Sequence, residues 1–220
     1  MKILALDFSS PQRSTAVLNA GGAFAHEAAD ASPGRDMKPF ALIESALRQA
    51  KLEREDIECI AVGIGSGSYA GIRVAISLAQ GWQLGTGVKL LGISSVDCIA
   101  AQAAEDGVRG KFSVAIDAQR GEFYMAGYEA TEGIAKETSP LKLATMAEVQ
   151  ERERAGELLV GPEVMCWFPN GRIIFPHAAM LARLAARRSD FVAGEKLEPI
   201  YLRETTFVKA PPARALPFPT

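Results

Sequence analysis

Histidine is nearly missing from this chain. His26 and His177 are the only two in 220 residues. A His-x-x-x-His metal pair is therefore impossible, and no spacing supports a Ser-His-Asp triad. The three cysteines, Cys59, Cys98 and Cys166, are odd in number and form no C-x-x-C pair. That argues against a disulfide framework and against a zinc site, and favours reduced thiols in a cytoplasm. The G-x-S-x-G nucleophile elbow is absent too. No apolar run is long enough to span a membrane. The opening "MKILALDFSS" is too short for a secretion signal and reads as a first strand, so a soluble, cytoplasmic protein is expected. Neither charge sign dominates, with a formal net charge of -2. A protein that holds tRNA or DNA by itself usually carries a basic stripe. Here there is only "RLAARR" (183–188), which reads as the solvated face of a helix.

What is present is apolar and regularly punctuated. Hydrophobic residues make up 48% of the chain, enough for a real core in one large or two small domains. "ILALD" (3–7) and "STAVLNA" (14–20) read as two strands joined by a turn, the first ending in Asp7. A helix is expected over about 36–50, with Phe40, Ile43, Leu47 and Ala50 at helical spacing, Asp36 as an N-cap and Pro39 in the first turn. "ECIAVGIG" (58–65) reads as a buried strand, followed by a helix over about 71–85. "VKLLGISS" (88–95) reads as a strand, and a helix over 96–105 is capped by Ser94 or Ser95. After residue 110 the opening pattern returns: "FSVAID" ends in Asp117, "AQRGE" turns, and "FYMAGYE" alternates as a strand. This recurrence predicts two α/β lobes of related topology. They are placed at 1–106 and 107–206. The tail 207–220 holds four of the 12 prolines and is expected to be neither helix nor central strand. Farther on, charged "MAEVQERERAGELL" and "PHAAMLARLAARRS" read as helices, and "EPIYLRETT" as a final extended segment.

Three features could carry chemistry. The loop "GIGSGSYAG" (63–71) is no Walker A loop, because no Gly-Lys-Ser/Thr ends it. Gly65-x-Gly67-x-x-Ala70 fits a relaxed dinucleotide fingerprint, but no acid for a ribose follows. A tight turn that lets the next helix pack on the sheet is the simpler reading, although a helix N-terminus can also meet an anion. Asp7 and Asp117 each end a strand; they could hold magnesium or act as bases, or each could bond its own turn. The helix after the loop is apolar over most of its circumference. Ile72, Ala75, Ile76 and Ala79 lie on one side, with Val74, Leu78 and Trp82 extending round another. Such a helix is either deeply buried or shared with a partner. Gly71, Ala75 and Ala79 would let another helix come close.

Taken in order, "ILALDFSS", "GSGSYAGIRVAISLAQG", "LLGISSVD", "VAIDAQRGEFYMAGYE" and "PIYLR" resemble the bacterial TsaB (YeaZ) family over residues 1 to about 205. The family's loop reads close to G-P-G-S-F-T-G-L-R. Gly65, Gly67, Ser68, Gly71 and Arg73 match it, while Ser66, Tyr69, Ala70 and Ile72 depart from it. A second signature reads close to I-D-A-R-R-G-E-V-Y. Ile116, Asp117, Ala118, Arg120, Gly121, Glu122 and Tyr124 match. The resemblance implies an actin/Hsp70/sugar-kinase-like (ribonuclease H-like) fold of two related α/β lobes. It implies a non-catalytic scaffold that activates TsaD and works with TsaE. That complex transfers a threonylcarbamoyl group to adenosine in tRNAs reading codons that begin with A. The chain would be a homodimer when alone and would meet tRNA only through the complex. No cofactor is required, and weak nucleotide binding in the interlobe cleft stays open. The family's contact surface is its first two lobe-one helices, which here assigns Leu42, Ala46, Ile72, Ala75, Ile76, Leu78, Ala79 and Trp82 to partner binding. Many relatives have a histidine near the start of the first helix, where this chain has "GRDMKPF". Two competing expectations are a small ATPase or kinase using Asp7 and Asp117 around magnesium, and a glycoprotease-like peptidase.

Overall fold

The computed structural model describes residues 1–19, 24–30 (backbone) and 38–203. The Asp36 cap, the His26 side chain and the 207–220 tail lie outside the described residues. The first half forms β1 (Ile3–Asp7), β2 (Arg13–Leu18), β3 (Phe24–Asp30), α1 (Pro39–Ala50), β4 (Cys59–Gly63), α2 (Tyr69–Thr86), β5 (Lys89–Ile93) and α3 (Ser95–Glu105). The second forms β6 (Gly110–Asp117), β7 (Glu122–Thr131), β8 (Ile134–Thr145), α4 (Met146–Arg154), β9 (Leu158–Gly161), β10 (Arg172–Ile173) and α5 (Ala178–Ala185). The strands make two sheets, ordered β3-β2-β1-β4-β5 and β10-β9-β6-β7-β8.

The two sheets share one topology. β1 is antiparallel to β2 and parallel to β4; β6 is antiparallel to β7 and parallel to β9. Outer pairs agree as well: β2 with β3 and β7 with β8 are antiparallel, while β4 with β5 and β9 with β10 are parallel. The recurring strand, aspartate, turn and strand are thus the first two strands of each sheet.

β1 is apolar from Ile3 to Leu6 because both of its faces are covered. Its side chains alternate, so Leu4 and Leu6 join the core beneath α1 and α2, while Ile3 and Ala5 join the core beneath α5. α5 comes from the second half of the sequence yet packs on the first sheet, burying Ala178, Leu181, Ala182 and Ala185. α3 buries Cys98 in that same core and turns Val96, Ile99 and Ala103 onto Phe112 and Val114 of β6, so it joins the two sheets. The opposite face of the second sheet, with Phe123 and Met125, is closed by Val149 of α4 and by Val164 and Phe168. Each buried aliphatic or aromatic side chain contributes about 1.5–3 kcal/mol.

Helix starts follow local chemistry. Ser94 Oγ accepts from Val96 N and Asp97 N at the start of α3, and Thr145 with Glu148 forms a capping box on α4. The segment 198–203 is extended in sequence expectation but forms no strand. Among the described residues, no helix is long and apolar enough to cross a membrane.

Candidate functional site

The glycine loop is shaped by contact with the turn after β1. A Cβ at Gly67 would lie 2.1 Å from the Ser9 carbonyl oxygen, and one at Gly71 would lie 1.9 Å from that of Phe8. Only glycine allows this approach. Ser68 N donates to Ser9 O at 2.6 Å, and Ser68 Oγ accepts from Gly71 N at 3.4 Å to start α2. The loop therefore seats the helix on the sheet. Gly67, Ser68 and Tyr69 also reach the wall of a cleft of about 610 Å³ between the two sheets.

Asp7 is fully buried and is not part of that wall. Its Oδ1 accepts from Ser9 N at 2.9 Å and Ser9 Oγ at 2.6 Å, and its Oδ2 accepts from Ser95 Oγ at 3.0 Å. Gly63 closes the other side, since a Cβ there would fall 2.0 Å from Oδ2. Ser95 in turn holds the loop, donating from its N to Gly65 O at 2.7 Å. The carboxylate thus ties the β1 turn to the start of α3. Burial pushes its pKa up to about 6, against the hydrogen bonds of Ser9 and Ser95 and the charge of His177.

Asp117 occupies the same place in the second sheet and accepts from Gln119 N at 2.7 Å. It bonds its own turn, as Asp7 does, but it is half-buried and lines the cleft. The turn is strained at two residues: Gln119 and Arg120 have φ of 62° and 59°, followed by Gly121 at 75°, which glycine adopts freely. Arg203 reaches it, bonding Ala118 O at 3.1 Å and pairing with Glu122 at 2.5 Å. The cleft wall carries two cations, Arg13 and Arg203, and two acids, Asp117 and Glu163. Burial, then the Asp117 charge, raises the Glu163 pKa. Among the described residues no group of three His, Cys, Asp or Glu could hold a metal ion.

The residues assigned to a partner face fall into two groups. Ala46, Ile72, Ala75, Ile76 and Ala79 are buried in the protein's own core, at most 5% exposed. Gly71, Ala75 and Ala79 are small, and this lets α2 lie close to its own sheet and the Phe8 turn. Leu42, Leu78 and Trp82 remain half-buried at the surface. Beside them lies a groove of about 380 Å³ between α1 and α2. Phe40, expected on the apolar stripe of α1, is 63% exposed at this groove. Its other wall is the stripe Ser77, Gly81 and Gly85, all exposed, with open space where Cβ atoms of the two glycines would stand. Sequence reasoning missed this stripe. The available signal was two glycines inside a helix, each costing about 1 kcal/mol relative to alanine. The loop-motif residue Arg73 is also exposed, with its guanidinium 4.1 Å from the Tyr69 ring centroid.

Two sheets of one mixed topology, separated by a cleft, define the actin/Hsp70/sugar-kinase-like, ribonuclease H-like class of α/β proteins. Solved structures share the arrangement. YeaZ from Pseudomonas aeruginosa superposes with a TM-score of 0.76 at 23% identity, covering 91% of this chain and 99% of that one. A crystal structure of an uncharacterized protein with similarity to peptidase YEAZ from the same organism gives 0.79 at 24% identity, over 92% and 99%. The family model described as TsaD, tRNA N6-adenosine threonylcarbamoyltransferase, matches residues 38–194. The tRNA threonylcarbamoyladenosine biosynthesis protein TsaB of Escherichia coli (strain K12) is 28% identical over 232 residues, 97% of this chain and 100% of that protein. The TsaB protein of Bacillus subtilis (strain 168) is 25% identical over 158 residues, 70% and 68% of the two chains. The chain belongs to the TsaD-type family described by that model, as a member of its TsaB/YeaZ group.

Proposed function

We propose that this chain acts in tRNA threonylcarbamoyladenosine biosynthesis as a non-catalytic scaffold and activating subunit. Its partners are a TsaD-type catalytic protein and TsaE, in the cytoplasm. The complex transfers a threonylcarbamoyl group to adenosine in tRNAs that read codons beginning with A. The observation that carries the scaffold role is the α1/α2 groove. It pairs an exposed phenylalanine with a smooth glycine stripe, a surface on which another helix can pack at an axial distance of about 8 Å. The same face would pair two copies of the chain when the partner is absent, so homodimer and heterocomplex would exclude each other.

The electrostatics support an indirect role toward tRNA. Strong phosphate binding needs several clustered cations, and the net charge is -2. The kinase alternative requires Asp7 to reach a metal-bound nucleotide. Three hydrogen-bond donors and Gly63 close off that carboxylate, which weighs against the alternative. No cofactor enters the proposed role.

A mixing experiment tests the reading. This chain and the TsaD-type protein of the same genome are combined, and the mass is measured by light scattering after size exclusion. A species at the summed mass is expected, with threonylcarbamoyl transfer to tRNA once TsaE and ATP are added. Two unshifted peaks under all these conditions would remove the scaffold role, and ATP turnover by this chain alone would then become the question.

A further inference from the structure

We infer that Leu197–Arg203 is a strap that couples the first turns of α2 to the strained turn at the mouth of the cleft, so that a disturbance at one is felt at the other. The segment is anchored at four successive points. Leu197 is 2% exposed in the core beneath α1 and α2, and its carbonyl accepts from Gln80 Nε2 of α2 at 3.3 Å. Ile200 N donates to Ile64 O at the start of the glycine loop, at 2.9 Å. The Tyr201 hydroxyl accepts from Arg73 Nε at 3.1 Å and Arg73 Nη2 at 2.9 Å, while the Tyr69 and Tyr201 ring centroids lie 6.2 Å apart. Two residues later Arg203 crosses to the second sheet, bonding Ala118 O and Glu122.

The far end of the strap meets a turn that needs support from outside. Left-handed backbone at a residue other than glycine persists only where surrounding contacts hold it. Gln119 and Arg120 are two such residues in succession. Within the turn, Ala118 N donates to Glu122 O at 2.9 Å and Glu122 N to Gln119 O at 3.2 Å. From outside, the Arg203 guanidinium clamps its first carbonyl and its last carboxylate. Tyr69 and Arg203 both line the cleft, so the strap links two parts of one wall. Tyr201 and Arg203 are therefore positioning residues for the cleft rim. The coupling rests on contacts within the chain and stands whether or not the scaffold role holds.

Amide hydrogen exchange on the full chain, resolved by residue, tests it. Tyr201→Phe removes one exposed hydroxyl on the α2 side and leaves Arg203 in place. It should speed exchange at the Ala118 and Glu122 amides by about threefold to tenfold, the loss expected for one net hydrogen bond. Tyr128 and Ala130, farther along β7, should not change. Arg203→Gln should speed the same two amides, and the double variant should add little to the larger single effect. If Tyr201→Phe speeds exchange at Ile200 but leaves Ala118 and Glu122 at wild-type rates, the strap is a local anchor and the coupling is wrong. Additive effects in the double variant would overturn it equally.

Discussion

Asp7→Asn should flatten the pH dependence of stability. The wild-type carboxyl has a folded pKa of about 6 against an ordinary value of 3.8, chiefly because it is buried. The native state therefore binds more protons than the unfolded chain between these two values. Stability then falls as pH rises through this window. Below about pH 3 both states are protonated and the cost is absent; above about pH 7 both are ionised and it stands in full. At about 1.4 kcal/mol per unit, the shift amounts to about 3 kcal/mol. Asparagine keeps an oxygen for Ser9 N and Ser9 Oγ, and Ser95 Oγ can turn to accept from its amide. The surface carboxylates Glu148 and Asp190, held down to about 2 by hydrogen bonds from Lys142 and Arg188, act alike in both proteins and cancel in the difference. Urea unfolding of both proteins from about pH 3 to pH 7 is the assay. The stability of the variant relative to wild type should rise by about 3 kcal/mol across that range. A flat difference, or one that moves the other way, would mean that ionised Asp7 is well solvated by its partners, and the desolvation account would be refuted.

The exposed groove makes a paired prediction. Gly81→Arg or Gly85→Arg should leave the fold intact and raise stability by about 1 kcal/mol, because each removes a helical glycine with open space beside it. Either variant should abolish pairing in the light-scattering assay; normal association would put the partner elsewhere. Ala79→Arg is expected instead to unfold the protein, since Ala79 is 0% exposed, and a cooperative wild-type thermal transition in that variant would contradict the burial. Gly71→Ala should destabilise by about 3 kcal/mol through overlap with Phe8 O, measured as a lowered urea midpoint. Arg120→Gly should stabilise by about 1 kcal/mol by relieving left-handed backbone, and no gain would mean that the turn is not strained.

Much of the fold was legible in the order of residues. The apolar runs ending in Asp7 and Asp117 marked the two central strands, and their recurrence signalled the topology that the two sheets share. β8 gave little signal, since Ile134–Thr145 is an edge strand carrying Lys136, Pro140 and Lys142 and is largely exposed. Edge strands are polar because one side meets water, so they read as loops. β3 was equally silent. Within the site, the loop motif and the Asp117 turn were legible, because glycine and aspartate report backbone demands directly. The inward or outward face of α2 was not.

That helix shows where the division falls. Sequence by itself determined that α2 exists, that a glycine loop precedes it, and that it is too apolar for an ordinary surface helix. Periodicity sets which residues share a side, but with apolar residues on two sides it does not say which side meets the sheet. Only the tertiary structure decided that Ile72, Ala75, Ile76 and Ala79 pack inward and that Ser77, Gly81 and Gly85 face out. The Phe8 carbonyl makes that choice, because it leaves room at Gly71 for a hydrogen and for nothing larger.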